Sequence, residues 1–212
     1  MRGVKCGRFG LSTLILCGLG AIPANAAITS VAGSANYNAI PPLVASVPNI
    51  ISPNAEVWDE LQSVTVPSGG LQVDMLVNGG TMSSTSPTAG VVTGVVDSHF
   101  IHFSAVPNQG ANGSVTFNAP ILAVIYSFNF LNASDAPLGW PGTTYPTGIG
   151  GREMSLASVV NASGNTLSFN LFEPGTAALR IEQIRVLTAV PAPGAAALAG
   201  LAALVASRRK RI

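Results

Sequence analysis

Between Thr166 and Phe172, Leu167, Phe169 and Leu171 alternate with Ser168 and Asn170. A period of two suits no helix, because a strand sends successive side chains to opposite faces while a helix repeats its apolar positions every three or four residues. The segment predicts a strand with one face buried and one wet. Residues 56–66, 71–77, 91–96, 98–106, 114–117, 121–128, 153–160 and 178–187 carry similar apolar patterns and are predicted as further strands. Turn residues separate them, at 67–70, 78–80, 107–110, 112–113 and 163–165. Asn78-Gly79 and Asn112-Gly113 accept positive φ at little cost, so both are expected to close tight hairpins. Many short strands at regular spacing predict an all-β domain of the β-sandwich or jelly-roll kind.

Ile121 to Tyr126 is apolar without a break, which predicts a central strand covered on both faces. Near the C-terminal end, Leu179 and Ile181 share one parity while Ile184 and Val186 share the other. A β-bulge at Glu182-Gln183 is expected to return them to one buried face. No helix is predicted in the body of the chain. Residues 129–151 are expected to form a long loop, and a loop of that length folds over the core or carries function. Trp140 and Tyr145 within it are either packing anchors or glycan contacts, with packing the favoured reading. Arg152, at the loop exit, is expected to pair bidentately with Asp135 and staple the loop's two ends.

Charge is distributed unevenly. All nine acids lie between Glu56 and Glu182, and across residues 27–190 the only bases are Arg152, Arg180 and Arg185, giving that region a formal charge of three minus nine, or −6. A domain without lysine and without a basic cluster has nothing to displace phosphate counterions, so nucleic acid is excluded as a partner. Both cysteines, Cys6 and Cys17, lie near the N-terminus, so the body has no disulfide and no thiolate metal site. No cofactor is expected.

His99 and His102 are the only histidines, and a strand would send them to opposite faces, separating them as joint metal ligands. Glu56, Asp59 and Glu60 form the one acidic cluster. Their spacing does not fit an alternating-ligand calcium loop, and a charged, solvated strand edge is the expected role. No Gly-x-Ser-x-Gly elbow occurs, and the many serines read as solvent-facing strand and turn positions. No catalytic residue is assigned and no enzymatic role is expected. Asn112, Asn132 and Asn161 begin Asn-x-Ser sequons of low specificity.

The two ends are built differently from the body. Arg2, Lys5 and Arg8 precede the apolar run Leu11 to Ile22, and Ala24-Asn25-Ala26 supplies small residues for a cut that leaves Ala27 first. Residues 1–26 therefore read as a secretory signal peptide, with signal peptidase as its processing partner. Leu16 before Cys17 is too bulky for lipoprotein processing. Residues 27–189 form the β domain, and roughly 160 residues suffice for one self-sufficient core. Residues 190–212 form a tail. It begins at Val190 with Pro191-Ala192-Pro193, continues as an apolar span over 194–206, and ends in Arg208-Arg209-Lys210-Arg211. As a helix the span would be about 20 Å long, short of the ~30 Å hydrocarbon core, and the basic cluster would stay cytoplasmic. A transient membrane anchor of this short helix is the expectation.

The tail resembles the PEP-CTERM sorting signal of secreted bacterial proteins, with Ala192 standing where that family has glutamate. The resemblance implies processing by an exosortase at the proline motif and an exported protein of the outer surface or extracellular matrix. The body from about Val96 to Thr188 resembles an uncharacterised domain recurrent in such proteins, through Asp97-Ser-His-Phe-Ile-His-Phe103, Gly113-Ser-Val-Thr-Phe117, Pro120-Ile-Leu-Ala-Val-Ile125, Ser134-Asp135, Pro141-Gly-Thr-Thr-Tyr-Pro146 and Gln183-Ile-Arg-Val-Leu-Thr188. That resemblance implies no activity. A non-enzymatic surface protein that packs within extracellular polysaccharide is the first expectation, a carbohydrate-binding module using Trp140 and Tyr145 the second, and a secreted hydrolase the third.

Overall fold

The computed structural model describes residues 25–46, 49–148, 152–175 and 181–191, all within one compact unit of the chain. Ala24 and the rest of the predicted signal peptide before it lie outside the described residues. So do Leu179, Arg180, Ala192, Pro193, the span 194–206 and the basic cluster 208–211.

The described chain is all-β with one short helix. Its elements are β1 (Ile28–Gly33), β2 (Ala35–Tyr37), β3 (Ala55–Asp59), β4 (Val64–Thr65), β5 (Leu71–Val73), β6 (Met75–Leu76), β7 (Thr81–Ser83), β8 (Gly90–Val92), β9 (Val95–Phe103), β10 (Gly110–Phe117), β11 (Ile121–Ile125), α1 (Phe128–Leu138), β12 (Val159–Ser163), β13 (Thr166–Phe172) and β14 (Glu182–Ala189). One sheet runs β1-β10-β13-β12-β7. A larger one runs β2-β3-β9-β14-β11-β6, with β4 also on β9, and β5-β8 form a separate ribbon. All pairings are antiparallel except β2 with β3.

β13 shows the alternation predicted for it, with Leu167, Phe169 and Leu171 buried and Ser168, Asn170 and Phe172 exposed. Its buried side chains join Val115 and Phe117 of β10 and Val57, Ile101, Phe103, Ile184 and Val186 of the larger sheet in one core cluster. Each such Leu, Ile, Val or Phe removed from water contributes about 1.5–3 kcal/mol. The larger sheet buries its other face as well. Trp58, Phe100, Ala123, Ile125 and Leu187 join Leu131 and Leu138 of α1 and Leu71, Val73 and Val92 of the ribbon in a second cluster. β11 is thus covered on both faces, as its unbroken apolar run predicts.

That second covered face overturns the bulge. β14 pairs with β9 in unbroken register from Glu182↔Phe103 to Ala189↔Val96. Its side chains are buried at both parities except at the end, Ala189. Ile184 and Val186 face one core while Gln183, Arg185 and Leu187 face the other side, so no bulge is needed to keep apolar groups dry.

The absence of a helix is the second correction. Residues 128–138 form α1 despite Asn129, Asn132, Ser134, Asp135 and Pro137, all poor helix formers. Tertiary packing overrides propensity here: Leu131, Ser134 and Leu138, at i, i+3 and i+7, are buried against the larger sheet. Asp74 fixes the helix entrance by accepting the N–H groups of Tyr126 (2.7 Å) and Ser127 (2.8 Å). This same turn at Asp74 breaks the predicted strand 71–77 into β5 and β6. The predicted strand 56–66 breaks into β3 and β4, while the predicted strand 98–106 is strand only to Phe103, as part of β9, which runs unbroken through Asp97. Only the end of 153–160 is strand, and β1, β2 and β7 are strands that the sequence pattern did not mark.

The two Asn-Gly sites behave differently from hairpin turns. Asn78 and Gly79 do take positive φ (50° and 74°), but they carry the chain from β6 in one sheet to β7 in the other. Asn112-Gly113 lies inside β10. A Cβ on Gly113 would meet the Ala32 carbonyl oxygen at 2.5 Å, so this glycine permits the close approach of β1. The turn expected at 163–165 is present and closes a hairpin: β12 and β13 meet through Gly164-Asn165 with Gly164 at φ 59°.

Candidate functional site

The most concentrated chemistry lies between α1 and the second face of the larger sheet. β14 sends Arg185 into this layer beside Phe100, its register partner on β9. The Arg185 side chain is wholly buried, and all five of its N–H donors are engaged. Nε donates to Glu60 Oε2 at 2.6 Å and Nη2 to Glu60 Oε1 at 2.9 Å. Nη2 also reaches Asp135 Oδ1 at 3.1 Å, and Nη1 donates to Ser134 Oγ and to the Leu131 carbonyl at 3.4 Å. The guanidinium carbon sits 4.9 Å from the Phe100 ring centroid.

Arg152 extends the network. Its Nη1 and Nη2 hold Asp135 bidentately at 2.5 and 2.7 Å, so the staple predicted from sequence is present. Nη1 also donates to Asn132 Oδ1 at 2.7 Å and Nε to Gln183 Oε1 at 2.5 Å. Gln183 passes the chain on, donating to the Ala45 carbonyl at 2.7 Å and to His102 Nδ1 at 2.9 Å. Two arginines and two carboxylates therefore balance in a buried layer that pins α1 to β14. A buried charge is tolerated only in such company.

Protonation follows from this geometry. Burial pushes His102 down to about 4, opposed by the Ile50 backbone and Glu56 and reinforced by Arg152. Its ring is neutral at physiological pH, with Nδ1 accepting from Gln183. Burial pushes the Tyr145 hydroxyl well above its ordinary value, and the Glu60 carboxylate beside it pushes the same way. The hydroxyl stays protonated, donating to Glu60 and accepting the Trp140 N–H at 3.0 Å. Burial alone would lower Arg185, but Glu60 and Asp135 outweigh it and raise it above the usual arginine value.

The acidic cluster is not the solvated edge expected of it. Glu60 is buried in the arginine network, and Ser98 Oγ donates to it at 2.7 Å. Asp59, on the opposite parity, takes His99 Nδ1 at 2.6 Å and the Tyr37 hydroxyl at 3.0 Å. Glu56 accepts the amides of Asn36 and Asn38 at 2.9 and 2.7 Å. Several serines are likewise buried rather than solvent-facing, Ser98, Ser134 and Ser158 among them. His99 and His102 leave β9 in opposite directions, one tilted against Phe117 at 4.5 Å and the other 6.5 Å from Trp58 between ring centroids. Among the described residues no three His, Cys, Asp or Glu side chains come together as a metal-binding group.

An open depression adjoins the network. Leu61, Asp135, Gly139, Trp140, Thr143 and Tyr145 help to line a shallow depression of about 390 Å³. Trp140 is 41% exposed there. The Tyr145 ring already has partners, Phe100 at 5.2 Å edge-on and the two guanidiniums at 5.4 and 5.7 Å. The two aromatics singled out from sequence thus meet at one place in unlike roles, Tyr145 anchored and Trp140 presented to solvent. Of the sequon residues, Asn112 and Asn161 are exposed strand positions, while Asn132 binds Arg152.

Sequence reasoning passed over Arg185, Glu60, Ser134 and Gln183 as a group. The available signal was Arg185 itself, a permanent charge flanked by Ile184, Val186 and Leu187 in a strand segment otherwise suited to burial. Comparison with protein-family models, with curated proteins and with solved structures gives no match for this chain.

Proposed function

We propose that this chain is a non-enzymatic protein of the cell surface or extracellular matrix. The observation that carries the reading is the closure of the charge network. Glu60 and Asp135, which could otherwise serve carboxylate chemistry, and Arg152 and Arg185, which could otherwise bind an anion, are engaged with one another and hold α1 in place. Two sheets contributing to one core support a β-sandwich or jelly-roll description. The N-terminal apolar run with Ala24, Ala26 and Ala27 supports export, and Val190-Pro191-Ala192-Pro193 with the span 194–206 and the cluster 208–211 supports a PEP-CTERM-like route through an exosortase.

The test is fractionation and protease shaving of cells making the full chain or a chain ending at Ala189. The full chain is expected at the outer surface and the shortened one in the medium. Equal cytoplasmic retention of both would end the reading.

A carbohydrate-binding role is the second reading, favoured by exposed Trp140 in the depression that Asp135, Thr143 and Tyr145 help to line. An indole face stacks on sugar rings, and neighbouring polar groups orient the hydroxyls. Specific binding on a glycan array, abolished by Trp140→Ala and weakened by Tyr145→Phe, would establish it. A hydrolase comes third, since no observation favours it.

A further inference from the structure

We propose that Asp97 is the docking site for the α-ammonium that cleavage after Ala26 creates on Ala27, so that N-terminal processing completes the folded core. The proposal rests on the export reading above. Asp97 lies in β9 opposite Thr188 and is fully buried. Among the described residues no cationic side chain forms an ion pair with it. Its two oxygens instead accept backbone N–H groups, Oδ2 from Ala26 and Oδ1 from Ser63, each at 2.5 Å. Ser63 supplies its N–H from a left-handed backbone conformation, φ 54°, that a non-glycine residue rarely adopts.

The segment around the predicted cut is gripped from several sides. Ala26 is 1% exposed. Asn25 accepts from Ser63 Oγ at 3.1 Å and, through its carbonyl, from Asn118 Nδ2 at 3.2 Å, while the Ala27 N–H donates to Asn118 Oδ1 at 2.8 Å. A peptide bond held in this way does not fit a protease cleft, so the cut precedes the docking of β1 on β10. Hydrolysis adds one water to the Ala26–Ala27 bond, leaving a carboxylate on the departing leader and an ammonium on Ala27. Asp97 then loses the Ala26 donor. Adjacent backbone nitrogens are separated by less than ~3.8 Å, so the new ammonium begins within roughly 6 Å of Oδ2. It offers three donors and the positive charge that a buried carboxylate needs.

The other groups facing this position reinforce the effect. Asp59 of β3 accepts the Ile28 N–H at 3.3 Å and already holds His99 and the Tyr37 hydroxyl. Asn118 and Thr188 are neutral. Two carboxylates, with no permanent cation paired to either among the described residues, favour the protonated amine.

The chain is suited to a clean test, because no lysine occurs between Ala27 and Pro191. Any amine signal from that region belongs to the N-terminus, and Lys210, where the tail is retained, gives a second resonance. The exported full-length gene product is purified, its first residue is read by mass spectrometry, and its amine is ¹³C-dimethylated and titrated by NMR. An Ala27 start is expected, with an amine pKa at least ~1 unit above the ordinary 7.7–8.0 and acylation at pH 8 about tenfold slower than in Asp97→Asn. Wild type unfolded in urea supplies the same reference if Asp97→Asn does not fold. An Ala27 start with an ordinary pKa and unchanged acylation would overturn the docking site while leaving export intact. A start at Asn25 or further upstream within a cleaved chain would do the same. An intact Met1 start would overturn the export reading and the proposal together.

Discussion

Ile184 and Arg185 are neighbours on one strand, equally buried, and they belong to two different kinds of interior. Ile184 faces the five-stranded sheet, where Phe103, Phe117, Phe169 and Leu171 share its cluster and contact is non-directional. Arg185 faces α1, where five donors meet defined acceptors. The first interior tolerates changes that preserve volume and polarity, since dispersion and burial depend mainly on area and fit. The second depends on every partner being present, because removal of one leaves another charge buried and unpaired. The sheet therefore separates a forgiving core from an unforgiving one by the width of a single backbone.

The largest expected effect follows directly. Arg185→Met, which keeps much of the volume but strands Glu60, should cost about 3–5 kcal/mol in urea unfolding, whereas Ile184→Val should cost about 1 kcal/mol. Equal losses would erase the distinction between the faces. Arg152→Ala is expected to cost about 3 kcal/mol and to expose residues 139–148 to limited proteolysis, because Asp135 and Gln183 lose their common partner. Unchanged proteolysis would show that the staple does not hold the loop.

Acid sensitivity should belong to the polar face. His102 is neutral when folded down to about pH 4, while in the unfolded chain it protonates near 6.5. The unfolded state thus binds the extra proton between those values, and stability falls as pH drops through this window, by roughly 3 kcal/mol in full. Unfolding free energies at pH 7 and 4.5 should converge in His102→Gln relative to wild type. The same slope in both would assign the acid limb elsewhere. At the smallest end, Trp140→Ala should shift stability by under ~0.5 kcal/mol, as expected for a partly exposed side chain away from the network. A larger loss would make Trp140 a structural residue.

The apolar interior was the legible one. Alternation in β13, the Gly164-Asn165 hairpin and the unbroken run of β11 are local signals, and each survives in the fold. The Arg152–Asp135 pair was also readable, since one base at a loop exit had few acids within reach. Helix α1 was not, because Asn, Ser, Asp and Pro argue against a helix locally and what they serve is distant: Ser134, Asp135, Asn132 and the Leu131 carbonyl are acceptors for Arg152 and Arg185. The expected bulge failed for a related reason. It assumed one wet face on β14, and the layer that dries the second face comes from residues some fifty positions earlier. Glu60 and Arg185, 125 residues apart, leave no local trace of their pairing.

A double-mutant cycle between Arg185 and Glu60 addresses the two-interior account most directly. Arg185→Met, Glu60→Leu and the double variant are unfolded in urea beside wild type. The account predicts a coupling of at least ~2 kcal/mol, with the double variant more stable than either single one because no charge is left without its partner. Losses that add within ~0.5 kcal/mol would contradict it.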